Sequence, residues 1–288
     1  MKDHKSTADL VALLADKRGL VIEDRTRAAD TLRRINYYRF TGYSRHFQER
    51  PAAGKNDYLS GASFDQIVHL IERDDELRLR LMIPLSTVEQ AVRTRFAHVA
   101  GREFGCQAFY LDPTKHLSDS PDALNRIRRV KEDLQNSQHP TIAHYRHGSD
   151  VAEVPIWVAV EVLSFGKIAW LIESLDSPTM REELADFFSF SRNTFPRTLQ
   201  SLSALRNVCA HHGQVWNRML TAQCPLPLNK RERPRDVVYH PQGIYPAIMA
   251  LSKLAQGAPG QSHLSAVDRI LRRNDGYARG VLTPAGVR

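Results

Sequence analysis

The sequence predicts an all-α fold. Leu77, Leu81, Leu85, Val88, Val92, Phe96 and Val99 follow one another at intervals of three or four residues, which gathers them within a narrow arc of one helix at about 100° per residue. No stretch alternates apolar and polar residues between hairpin dipeptides, so few or no strands are expected.

The elements follow in order. Leu10, Leu13 and Leu14 precede Lys17-Arg18-Gly19 as a first helical stripe, and Ala29, Leu32 and Ile35 lead into Asn36-Tyr37-Tyr38-Arg39-Phe40 as a second. Pro84 falls inside the long stripe of residues 77–99 and is expected to kink that helix or divide it in two. Pro155 suits a first helical turn, and Ile156, Trp157, Val160, Leu163, Ile168, Trp170 and Leu171 surround the following segment with apolar surface. Thr179 and Glu182 have capping-box spacing ahead of Leu184, Phe187 and Phe188. Phe195, Leu199, Leu202, Leu205 and Cys209 form a last stripe, which Gly213 can end as a left-handed residue. Breaks rich in Pro, Gly, Asp or Ser fall at 51–61, 112–122, 136–154 and 225–243. None is long enough for an interdomain linker, and no internal repeat is visible.

With 42% hydrophobic and 25% charged residues in 288, the composition is that of an ordinary globular protein. It excludes a disordered tail, a collagenous rod and a disulfide scaffold. Three cysteines, Cys106, Cys209 and Cys224, have no paired spacing, which fits a reducing, cytoplasmic compartment. Met1-Lys2-Asp3-His4-Lys5 is followed by no apolar run of signal-peptide length. The stretch from Pro155 to Leu175 is long enough to span a bilayer, but Glu161, Lys167 and Glu173 interrupt it at about 2.5–3.5 kcal/mol each in a membrane centre. It reads as a buried core helix, with no membrane as partner. Forty Lys and Arg against 32 Asp and Glu leave a net charge of +8, which suits an anionic partner without requiring one.

The segment from Leu205 to Arg218 is the densest in chemically capable side chains. Continuing the α-helical spiral from Leu202, Arg206 falls at about 40°, Asn207 at about 140°, His211 at about 180° and His212 at about 280°. Asn207 and His211 would then share the face opposite the core, with Arg206 at the edge of the stripe and His212 beside it, capping or packing. A guanidinium, an amide and an imidazole on one exposed face suit a phosphodiester: a planar cation for the phosphoryl oxygens, a neutral donor, and a group that moves a proton near neutral pH. The negative end of the helix dipole favours imidazolium there by about 0.3–1 kcal/mol. Spacing alone allows other uses, since a histidine at a helix end commonly caps free carbonyls. Cys209, His211, His212, Cys224 and His240 lack zinc-ligand spacing, so no metal and no cofactor is expected. His139, His144 and His147 read as loop residues.

Glu89 and Arg93, an i,i+4 pair beside the long stripe, form a surface ion pair or orient Arg206. Tyr37, Tyr38 and Arg39, with Phe40 and Tyr43, combine cation and aromatic groups as base-stacking surfaces do, although the same spacing serves a core or a subunit contact. The basic runs 126–131 and 230–235, and Arg269 with Arg272-Arg273, are candidate phosphate tracks or simply solvated faces.

Arg206-Asn207-Val208-Cys209-Ala210-His211-His212, followed by Val215-Trp216-Asn217-Arg218, resembles the C-terminal signature of the Abi-like abortive-infection proteins, bacterial phage-resistance factors. Three further blocks match that family in order: Lys17-Arg18-Gly19-Leu20 with Ile35 to Tyr43, then Phe64 to Arg80, then Pro155 to Gly166. One departure stands out. Relatives commonly carry a basic residue after the paired histidines, whereas this chain reads Gly213-Gln214, so a secondary phosphate contact is missing or comes from Arg218.

The resemblance implies a HEPN-like helical bundle over residues 64–220, within a single domain spanning 1–288 that has an N-terminal helical extension (1–63) and a C-terminal one (221–288). It implies a metal-independent ribonuclease whose Arg206, Asn207, His211 and His212 are catalytic, with either histidine satisfying the Arg-to-His spacing. Glu89, Arg93, Trp216, Asn217, Arg218, Tyr37, Tyr38 and Arg39 would bind RNA or support the site. The expected partners are substrate RNA, an antitoxin or regulatory small RNA, and a second copy of the chain that completes a composite site. The rival expectations are a non-catalytic RNA-binding module and a dimeric interaction scaffold.

Overall fold

The computed structural model describes residues 4–225, 237–256, 261–272 and 275–285. Within them lie helices α1 (Thr7–Ala12), α2 (Arg25–Arg34), α3 (Tyr37–Ser44), α4 (Phe64–Phe104), α5 (Pro121–Asn136), α6 (Pro140–Tyr145), α7 (Ile156–Val162), α8 (Phe165–Ser174), α9 (Pro178–Phe187), α10 (Phe195–Ala210), α11 (Tyr245–Leu254), α12 (Gln261–Arg272) and α13 (Asp275–Leu282). The one sheet among these residues is an antiparallel pair, β1 (Gln48–Arg50) and β2 (Lys55–Tyr58), with Gln48 opposite Tyr58. The fold is all-α, as the periodicity predicts.

Helix α4 is the spine. The Ser63 hydroxyl accepts from the Gln66 amide at 3.2 Å to start it, and Gly105, at φ +84°, ends it. Every member of the stripe from Leu77 to Val99 is at most 2% exposed. Helices α3, α7, α9, α10, α11 and α12 pack on α4, and α8 packs on α10. One contiguous apolar core runs from Val11 to Val281.

Three sequence expectations need correction. Of the kink or division expected at Pro84, the division is absent: α4 runs unbroken over 41 residues with Pro84 inside it. Pro84 is buried, so its packing outweighs the lost backbone bond, a cost of about 3 kcal/mol. The stretch from Pro155 to Leu175 is two helices rather than one. Leu163 is extended at ψ 140°, and the Ser164 hydroxyl accepts from the Lys167 amide to start α8 afresh. The cap of α9 is Ser177, not Thr179: with Pro178 in the first turn, the Ser177 hydroxyl accepts from the Met180 amide at 3.0 Å. Among the described residues, no helix is long and apolar enough to cross a membrane.

Candidate active site at the end of α10

Helix α10 buries Phe195, Leu199, Leu202, Leu205 and Cys209 against α8 and α4. Arg206 stands at the edge of that stripe with about a third of its side chain exposed, and Asn207 is exposed one step further round. The Arg206 Nε donates to Glu89 Oε2 at 3.0 Å. Its Nη1 donates to Asn207 Oδ1 at 3.3 Å. Glu89 is 6% exposed and also accepts from Arg93 Nη2 at 2.5 Å. Arg93 in turn donates to the carbonyls of Val160 and, at 2.6 Å, Leu163 at the end of α7. The Glu89–Arg93 pair is therefore no surface ion pair. It is a half-buried support that fixes one edge of the Arg206 guanidinium and leaves Nη2 free of protein partners among the described residues.

The histidines sit otherwise than the helical spiral predicts, because the helix has already ended. α10 stops at Ala210, with His211 as its C-cap (φ −93°, ψ 19°). His212 takes the left-handed conformation at φ +54°, the role expected of Gly213. The Gly213 amide donates to the Val208 carbonyl at 2.8 Å and the His212 amide to the Cys209 carbonyl at 3.3 Å, a Schellman turn. Both imidazoles are exposed. His212 neither packs on the stripe nor points into it, so position on the helix no longer separates the two.

A left-handed residue other than glycine costs about 1–2 kcal/mol, and the turn is clamped accordingly. Arg39 on α3 donates to the His212 carbonyl at 2.6 Å and Arg78 on α4 to the Gly213 carbonyl at 3.4 Å. Both guanidiniums also bind Asp75. Two residues further on, the amides of Val215 and Trp216 donate to the fully buried Asp74 at 2.9 and 2.7 Å. The hydroxyls of Tyr43, on α3, and Tyr277, on α13, donate to the same carboxylate at 2.6 and 3.2 Å. Burial pushes the Asp74 carboxyl above its ordinary pKa, and these hydrogen bonds and Arg78 oppose the rise. Burial and the adjacent Asp74 raise both tyrosines.

The remaining candidates divide by position. Trp216 is buried: its indole donates to the Tyr277 carbonyl at 3.2 Å and meets His46 edge-on. Asn217, left-handed at φ +57°, exchanges two 2.7 Å hydrogen bonds with Ala285. These two are struts, in keeping with site support rather than RNA contact. Arg218 donates through Nε to the Gln214 carbonyl at 2.9 Å. Its Nη2 lies 3.6 Å from where a residue-213 side chain would begin, so a cation does stand beside the turn. Tyr37 is partly exposed and Tyr38 is 77% exposed, on the far flank of α3. Of the basic runs, Arg126 and Arg128 pair with Asp122 and Glu132, residues 230–235 and Arg273 lie outside the described residues, and Arg269 and Arg272 are exposed. Among the described residues no three His, Cys, Asp or Glu side chains group as metal ligands would. Burial raises the Cys209 and Cys224 thiols to about 12.

Asp74, Asp75, Arg78 and Tyr277 escaped the sequence reading. For Asp74 and Arg78 a signal was present: Leu70, Asp74, Leu77, Arg78 and Leu81 share helical spacing, so two charged residues fall on a buried stripe.

Residues 30–217, well over half of the chain, match the family model described as Abi-like protein. The chain belongs to the Abi-like family. The matched span takes in α3, the α4 spine, Glu89 and the whole Arg206-to-Asn217 segment, and ends short of Tyr277. Membership in the Abi-like family points to abortive-infection defence. Neither the curated proteins nor the solved structures yield a match.

Proposed function

We propose that this Abi-like protein is a metal-independent endoribonuclease of the HEPN type that arrests growth during phage infection by cutting RNA in the cytoplasm. The observation that carries the reading is the Arg206 guanidinium, aligned by Glu89 beside exposed Asn207, His211 and His212 on one helix end. In this reading a base takes the proton of an RNA 2′-hydroxyl and the oxygen attacks the adjacent phosphorus. The bond from phosphorus to the 5′-oxygen breaks as an imidazolium protonates the leaving oxygen. Arg206 Nη2 and Asn207 meet the phosphoryl oxygens, where charge accumulates. The products are a 2′,3′-cyclic phosphate and a 5′-hydroxyl. Proton transfer by a positioned group supplies roughly 10²–10⁴-fold, and charge stabilisation a comparable factor.

A second copy of the chain would face one such helix end with another and divide base and acid between them. On α4, Leu79 and Ile83 are 69% and 45% exposed, within about three turns of Glu89, and supply apolar surface for that contact.

The test is cleavage of RNA in chelator by purified protein, with end-group analysis. Cyclic phosphate ends, and a loss of about 100-fold or more in Arg206→Ala and in His211→Ala/His212→Ala, are expected. Cleavage at the wild-type rate by these variants overturns the assignment. Salt-sensitive binding with no cut product would indicate the RNA-binding module instead.

A further inference from the structure

We infer that the cleft between α1–α2 and α3 seats a single-stranded stretch of the RNA on one side of the scissile phosphate, an inference resting on the ribonuclease reading. The cleft measures about 960 Å³, and no carboxylate lines it. Lys5, Arg18, Arg34 and Arg45 line it and form no ion pair among the described residues; Arg33, on the same wall, is paired with Asp30. Among these cations stands Tyr38, 77% exposed and edge-on to Tyr37 at 5.6 Å. An aromatic face amid unpaired cations suits stacked bases with phosphates between them.

A further observation points to a ligand: the cleft leads to the candidate active site. Arg45 lines both it and a second depression formed with Gly42, Gln214 and Arg218, and α3 itself touches the His212 carbonyl through Arg39. A strand whose phosphate lies at Arg206 would pass Arg218, turn over Arg45 and enter the cleft at Tyr38. Such recognition is by charge and stacking, so the sugar is not discriminated: single-stranded DNA should occupy the cleft and remain uncut for want of a 2′-hydroxyl.

The experiment measures anisotropy of unstructured RNA and DNA oligonucleotides on the full chain across salt, for wild type, Arg34→Ala/Arg45→Ala and Tyr38→Ala, with melting curves to confirm folding. Binding of both strands is expected, weakened about tenfold in Tyr38→Ala. The log–log salt slope should flatten by about 1.4 in the double variant, from roughly 0.7 for each phosphate that is no longer neutralised. Affinities and slopes unchanged in folded variants overturn the inference even if RNA is cut. Cleft-dependent binding without any cleavage by the wild type retains the cleft and removes the nuclease.

Discussion

The Arg206 side chain on α10 is held by Glu89, a carboxylate 117 positions earlier on α4. Because Glu89 also binds Arg93, its removal leaves two guanidiniums without their shared acceptor. Glu89→Gln should cost about 1.5–3 kcal/mol in chemical denaturation. It should slow RNA cleavage by up to about 100-fold through misorientation of Arg206. A folded Glu89→Gln variant that cuts at the wild-type rate would show that Arg206 needs no alignment.

Asp74 accepts from two backbone amides and two tyrosine hydroxyls. An asparagine there turns a donor toward those donors and leaves Arg78 short of a charge. Asp74→Asn should lower the unfolding free energy by about 3 kcal/mol, and Tyr277→Phe by about 1 kcal/mol. Urea midpoints read both, and equal midpoints for Asp74→Asn and wild type would refute the clamp.

Stability should fall on mild acidification. His116 donates to the Tyr110 carbonyl at 3.1 Å, meets the Ser174 hydroxyl at 3.0 Å and stacks on Trp170. Burial holds its pKa, and that of His46, below the ordinary 6.5. The unfolded chain therefore binds protons that the folded chain refuses. The contribution is complete above about pH 6.5 and is lost as pH falls through the lower folded values. Denaturant midpoints measured from about pH 7.5 down to about 5.5 should decline, less steeply in His116→Gln. An unchanged slope in that variant would contradict the assignment.

Gly280 on α13 would place a methyl group 2.1 Å from Trp216 Nε1. Alanine ordinarily stabilises a helix interior by about 0.5–1 kcal/mol over glycine. Here the clash should reverse the sign and cost about 1–3 kcal/mol, visible as a lower Tm. A raised Tm in Gly280→Ala would mean that the indole moves aside freely.

In the proposed dimer, Leu79→Asp/Ile83→Asp should shift the mass in light scattering from a wild-type dimer to a monomer at micromolar concentration, because a charge in an apolar contact is left unpaired. A wild-type monomer would remove the dimer itself. A dimer that persists in this variant would place the contact elsewhere.

The sequence was most legible where one periodicity governs. The stripe from Leu77 to Val99 and that from Phe195 to Cys209 are buried as their spacing requires. Legibility failed where a single residue outside the period decides. Ser164 and Ser177 restart helices where apolar spacing predicts continuity or a later cap. At the site, the position of Arg206 at the stripe edge was readable because α10 reaches it, whereas the histidine angles assumed a helix that stops at Ala210. Tyr277 lies 203 positions from its partner Asp74, and no local pattern announces such a pairing.

The clamp on Asp74 also has a kinetic meaning. Its donors come from α3, from the turn beyond α10 and from α13, so none of these segments can swing open without exposing a shared buried acceptor. Fraying of the C-terminal helix and loosening of the histidine turn become a single cooperative event. In native-state hydrogen exchange, the amides of Val215 and Trp216 should open together with those of α13. Any ligand that grips the C-terminal helix would then tune the order of the histidine turn from outside the family's matched span.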